Sequence, residues 1–140
     1  MIILDTNVVS EPSQPRPSQT VLDWLDRQPE GSLFLAVAVI AELSAGAREF
    51  ARRTGSSRYL GPLEILLSEY EGRILDFRSD AAVLFGIVIA KRNAMGRPIT
   101  QMDAMIAAIC LVHGAALATR NVRDFDGLDL KLINPFEAGA

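Results

Sequence analysis

Met1-Ile2-Ile3-Leu4-Asp5-Thr6-Asn7 opens the chain, four apolar residues followed at once by three polar ones. A short unbroken apolar run of this kind reads as a strand buried on both faces. The abrupt change at Asp5 then places a carboxylate at the strand's carboxyl end, feeding a polar turn. Working outward, Leu33-Phe34-Leu35, Arg73 to Phe77, Ala115 to Ala118 and Leu130 to Ile133 read as four more strands. Helical patterns separate them. One surrounds Val21, Leu22, Trp24 and Leu25; a second runs from Val37 to Ala47, where Val39, Ile40, Leu43 and Ala47 recur at helical spacing; a third spans Leu60 to Tyr70, with Glu64 and Glu69 outward. Ser79-Asp80 predicts a cap for a helix through Ala82, Val83, Phe85, Val88 and Ile89, which Gly96-Arg97-Pro98 stops. Thr100 begins the next, Ala104 to His113, and Gly114 ends it. Glu11 to Ser18, with three prolines, and Thr119 to Gly127 read as loops, and the basic, then Gly/Ser-rich Arg48 to Ser57 as a joint between two helices. Strands alternating with helices predict right-handed crossovers and a mostly parallel five-stranded sheet with helices on both faces, an α/β class fold in three α/β/α layers.

The chain's 140 residues suit a single domain, residues 1–140, and 49% hydrophobic residues supply a core. No stretch approaches the roughly 20 consecutive apolar residues of a membrane span, and the amino terminus lacks the basic, apolar and small-residue pattern of a secretory signal. A cytoplasmic protein without membrane contact is the expectation. The lone cysteine, Cys110, sits between Ile109 and Leu111 and reads as a buried helical residue, so neither a disulfide nor a thiolate metal site is expected. A net charge of −3 gives no general attraction for nucleic acid, although local patches remain possible binding sites for phosphate.

Four acids carry the chemistry. In an open parallel sheet, ligands bind outside the carboxyl ends of the strands, where Asp5 and Asp124 both follow apolar runs. Asp5 equally suits a turn or helix cap, and Asp124 lies in a polar loop where aspartate is ordinary. Glu42 is the only charge between Leu33 and Ala47; it either faces a cation or cleft or occupies the helix's exposed stripe. Asp103 follows Thr100 at capping-box spacing, and the apolar Ala104 to Ile109 segment behind it marks a core helix whose amino end would aim Asp103 toward Asp5. Jointly, four converging carboxylates would repel one another unless a divalent cation neutralised them. Oxygen donors point to Mg²⁺ or Mn²⁺; with one histidine, His113, and one cysteine, zinc is disfavoured. Mg²⁺ keeps several waters and binds a few carboxylates plus substrate phosphate, so the expected chemistry is phosphoryl transfer. Arg48, Arg52, Arg53 and Arg58 are either a solvated charge run or a guide for substrate phosphates.

These residues resemble the PIN-domain ribonucleases, specifically the VapC toxins of bacterial type II toxin–antitoxin pairs. The resemblance covers nearly the whole chain. It rests on Met1 to Val8, Ala41-Glu42-Leu43 with Gly46 behind it, Asp103 to Ala108, Ala118 to Phe125 and the ending Asn134-Pro135-Phe136. It implies a PIN-like sandwich and an endoribonuclease in which Asp5, Glu42, Asp103 and Asp124 hold Mg²⁺, or Mn²⁺ in its place, and a metal-activated water cuts an RNA phosphodiester. Relatives carry the fourth acid either at the position of Asn121 or at that of Asp124. Thr6, Asn7, Thr119 and Asn121 match polar positions that orient water or phosphate around the ions. The resemblance also implies a homodimer and a VapB-type antitoxin whose tail covers the cleft. Two other readings compete: a noncatalytic PIN-like module that binds RNA or protein without cutting, and a haloacid-dehalogenase-type phosphatase, whose second aspartate is replaced here by Asn7.

Overall fold

β1 (Ile2–Leu4) forms the centre of the sheet because Ile3 and Leu4 are wholly buried and have a strand on each side. The computed structural model describes residues 1–140. β2 (Leu33–Ala36) and β3 (Ile74–Leu75) extend the sheet one way, β4 (Ala116–Ala118) and β5 (Leu132–Ile133) the other. The order is β3-β2-β1-β4-β5 and every pairing is parallel, so the expectation of a mostly parallel sheet sharpens to a wholly parallel one. Ile3 lies level with Phe34 on one side and Leu117 on the other. The chain reverses its direction of travel across the sheet between β1 and β4, which makes the gap beyond their carboxyl ends the topological switch point where α/β folds place ligands.

Six helices cover the sheet in the α/β/α arrangement: α1 (Thr6–Val9), α2 (Gln19–Arg27), α3 (Val37–Thr54), α4 (Leu60–Glu69), α5 (Ser79–Ala94) and α6 (Gln101–His113). α6 is the core helix, with Ala104 and Ile106 to Cys110 buried; its alanines allow close approach to its neighbours, and Cys110 is a free, buried thiol. The Thr100 hydroxyl accepts from the Asp103 N–H at 3.1 Å to start this helix, and Gly114, at φ 58, ends it in a left-handed turn that glycine adopts without strain. No helix is long and apolar enough to cross a membrane.

Several local expectations change. The polar turn at Asp5-Thr6-Asn7 is the start of the one-turn helix α1, and the Glu11 to Ser18 loop begins with a 3-10 turn at Glu11–Ser13. Arg48 to Thr54 is not a joint: α3 continues through it to Gly55 at φ 73. Arginine, alanine and glutamate are strong helix formers, and Arg52 and Arg53 complement the negative end of the helix dipole there. α5 starts without the anticipated side-chain cap; Arg78 occupies that position, while Asp80 accepts from the Ala81 N–H within the first turn. The Thr119 to Gly127 loop contains a 3-10 turn at Val122–Phe125.

Candidate functional site

Asp5 stands at the switch point, 4% exposed. Its N–H donates to the Ala118 carbonyl, so the β1–β4 pairing fixes its backbone. Its side chain caps α1, with Oδ1 accepting from the Thr6 N–H at 2.8 Å. Oδ2 accepts from the Thr119 hydroxyl at 2.7 Å and from Asn7 Nδ2 at 3.3 Å. Thr119 is itself fully buried just past β4, and its hydroxyl oxygen also accepts from the Asn121 N–H. Asn7 Oδ1 accepts from the Arg120 N–H, which ties α1 to the segment after β4. Capping and site placement are therefore one arrangement at Asp5, not alternatives.

Glu42 projects from the second turn of α3, which follows β2 with no intervening loop. Half-buried, it accepts the Thr6 hydroxyl at 2.8 Å. Thr6 thus bridges two acids, its backbone N–H on Asp5 and its hydroxyl on Glu42. Asp103 comes from the first turn of α6 and Asp124 from the 3-10 turn after β4, with Asp124 exposed. Burial raises the Asp5 carboxyl above its ordinary range, opposed by its three hydrogen bonds and aided by the Asp124 charge. Burial, and then the Asp5 charge, also raise Glu42 against the pull of Thr6. Asp103 is pushed up to about 6, by burial first, then by the charges of Asp5 and Glu42, with a smaller push from Asp124. Asp103 thus feels the charges of the other three acids, and Asp5 feels that of Asp124. Asn121 contributes its backbone N–H to Thr119, while its side chain is exposed.

Beside Glu42 and Thr6 opens a cleft of about 420 Å³ between α1, α3 and α4, with Phe50, Tyr59 and Arg53 toward its far side. Of the basic residues, Arg53 lines this cleft, Arg52 pairs with Glu49 on the exposed surface, and Arg58 donates to the Ser13 carbonyl. His113 lies at the end of α6 opposite Asp103, about 15 Å away at 1.5 Å per residue, outside the site. One buried charge near the acids has no signal in local composition: Arg92 on α5, 3% exposed. Its only sequence trace is spacing, because Ala81, Phe85, Val88 and Arg92 fall on one helical stripe and Ala81 and Val88 are core residues.

A PIN domain model matches residues 2–130. The chain belongs to the PIN-domain family, in its VapC toxin branch. It is 37% identical to the plasmid stability protein StbB of Pseudomonas syringae pv. tomato, over 99% of this chain and all of that one. It is 35% identical to a VapC ribonuclease of Sinorhizobium fredii, over 98% of this chain and 99% of the relative. The crystal structure of FitAcB from Neisseria gonorrhoeae superimposes with a TM-score of 0.88 at 31% identity, covering 98% of this chain and 99% of that one.

As a donor set, this PIN domain's acids are all hard oxygen ligands with no nitrogen or sulfur among them, which fits Mg²⁺ or Mn²⁺ and not zinc. No three histidine, cysteine, aspartate or glutamate side chains stand close enough together to hold a metal ion among them.

Proposed function

We propose that this VapC-branch PIN domain is a Mg²⁺-dependent endoribonuclease, with Mn²⁺ able to substitute, acting in the cytoplasm as the toxin of a VapBC-type pair. The observation that carries this reading is Asp5: a buried carboxylate at the switch point, pinned on both oxygens and ringed by Glu42, Asp103 and Asp124, whose charges disfavour one another. Such a ring is stabilised by a divalent cation and by the phosphate that accompanies it.

Asp5 and Asp103 would hold the ion, with Glu42 and Asp124 completing its acidic surroundings. When bound, the ion offsets the charge that builds on the scissile phosphate and acidifies water in the site. Asp5 cannot swing away, because Thr6, Thr119 and Asn7 hold it. Glu42, steadied by Thr6 and raised by burial, is suited to take the proton of an attacking water. Arg53 at the cleft offers an RNA phosphate the positive charge that the acids lack. Membership of the VapC branch supports a VapB-type antitoxin as partner, with its tail over the cleft, and a homodimer.

The test is cleavage of labelled RNA by the purified chain. Internal cuts that need Mg²⁺, and that EDTA or Asp5→Asn abolishes in a folded protein, are expected. Undiminished cutting by Asp5→Asn would remove the reading; binding without cuts would favour a noncatalytic module, and released inorganic phosphate a phosphatase.

A further inference from the structure

Arg92 is a buried guanidinium without a carboxylate. All its hydrogen bonds go to main-chain carbonyls: Nε to Arg97 at 2.7 Å, and Nη1 to Asp126 at 2.8 Å and to Arg123 at 3.3 Å. Burying a charge this way is costly, and an apolar side chain of similar size fills such a space at less cost, so the position serves something other than packing. Two of the three carbonyls flank Asp124. The Arg123 carbonyl also accepts Arg97 Nη2 at 3.0 Å, so two cationic donors converge on the peptide group that joins Arg123 to Asp124. The turn itself packs against α6 and β5, with Phe125 buried. Just after it Gly127, φ 78, sits against the end of α5, where an added Cβ would come within 2.6 Å of the Met95 side chain.

The geometry points to Arg92 as the positioning residue for Asp124, with Arg97 as its outer brace. A four-residue 3-10 turn has few bonds of its own, the Asp124 N–H to the Asn121 carbonyl being one. The clamp adds a hydrogen-bonded constraint to the turn's packing against α6 and β5 and holds the exposed acid facing Asp5 and Asp103. This rests on the reading of Asp124 as a working acid of the ribonuclease site.

Two measurements test it. In metal-free protein, hydrogen–deuterium exchange of residues 119–127 is compared among wild type, Arg92→Lys and Arg97→Ala; faster exchange there, with β1 unchanged, is expected. The Mg²⁺ dependence of RNA cleavage is then measured for Arg92→Lys, Asp124→Asn and the double variant. Arg92→Lys should raise half-saturating Mg²⁺ about 10-fold, the scale for residues that orient ligands, and add nothing once Asp124 is Asn. Effects that multiply in the double variant, a silent Asp124→Asn, or unchanged exchange would each overturn the proposal. Should Arg92→Lys not fold, Arg97→Ala, whose side chain is 42% exposed, carries the same test with a smaller shift. A wild type that cuts no RNA would sink the ribonuclease reading instead, and the exchange comparison alone would decide whether Arg92 fixes the turn.

Discussion

Asp5 and Asp124 face the same space but are placed by opposite means. Asp5 is at the centre of the sheet, held by strand pairing, by the cap of α1 and by two side-chain donors. Asp124 is exposed on a short turn and owes its place to a buried phenylalanine, to Arg92 on α5 and to Arg97 just beyond that helix. The central acid's position follows from the fold itself, whereas the peripheral one depends on a local attachment. Changes at the centre should therefore cost both activity and stability, and changes at the periphery mainly activity.

The sharpest way to break this contrast is Asp5→Asn, expected to lower Mg²⁺-dependent cleavage by at least about 10²-fold, the scale for loss of a key electrostatic group. Asparagine still caps α1, so circular dichroism should report an intact fold. Thr119→Val comes next: it keeps the shape but strips a buried carboxylate of its shortest hydrogen bond, a loss of about 2 kcal/mol in urea unfolding. A midpoint equal to wild type would show that the centre is not held as described. Asp124→Asn should reduce cleavage about tenfold and leave the unfolding midpoint nearly unchanged.

The smallest effect concerns pH. The Asp103 carboxyl is pushed up to about 6 in the folded chain, above its ordinary 3.8. Folded protein thus binds more protons than unfolded between these values, and metal-free stability falls as pH rises through that window. Asp103→Asn removes the penalty. One pKa unit is worth about 1.4 kcal/mol, and because the group is half-exposed, solvent screening reduces the gain to about 1 kcal/mol at pH 8, with none at pH 3. Thermal unfolding in EDTA at both pH values checks it; a variant no more stable than wild type at pH 8 would contradict the crowding of acids.

The sheet, its central strand and the core helix α6 are legible in the sequence because apolar runs and helical spacing report burial directly. Asp5 and Glu42 are legible for the same reason, each a charge standing against an apolar background. The last turns of α3 are not, since exposed arginines carry no periodic signal and only Gly55 marks the end. α1 is too short to show a period. Asp124 in its polar loop looks like any turn aspartate, and its nearness to Asp5 and Asp103 is a tertiary fact. Arg92 escapes notice because a basic residue near a helix end is ordinary; its burial depends on a loop some thirty residues away in sequence.

The outer strands β3 and β5 are two residues long. An unpaired strand edge is a template on which another chain can polymerise, and an edge this brief leaves almost no free backbone to copy. Copies of this protein made without a partner have little opportunity to join sheet to sheet. Exposed apolar surface lies instead on helix faces, at Val83 and Ile87, one turn apart on α5, and at Ile65 and Leu67 on α4.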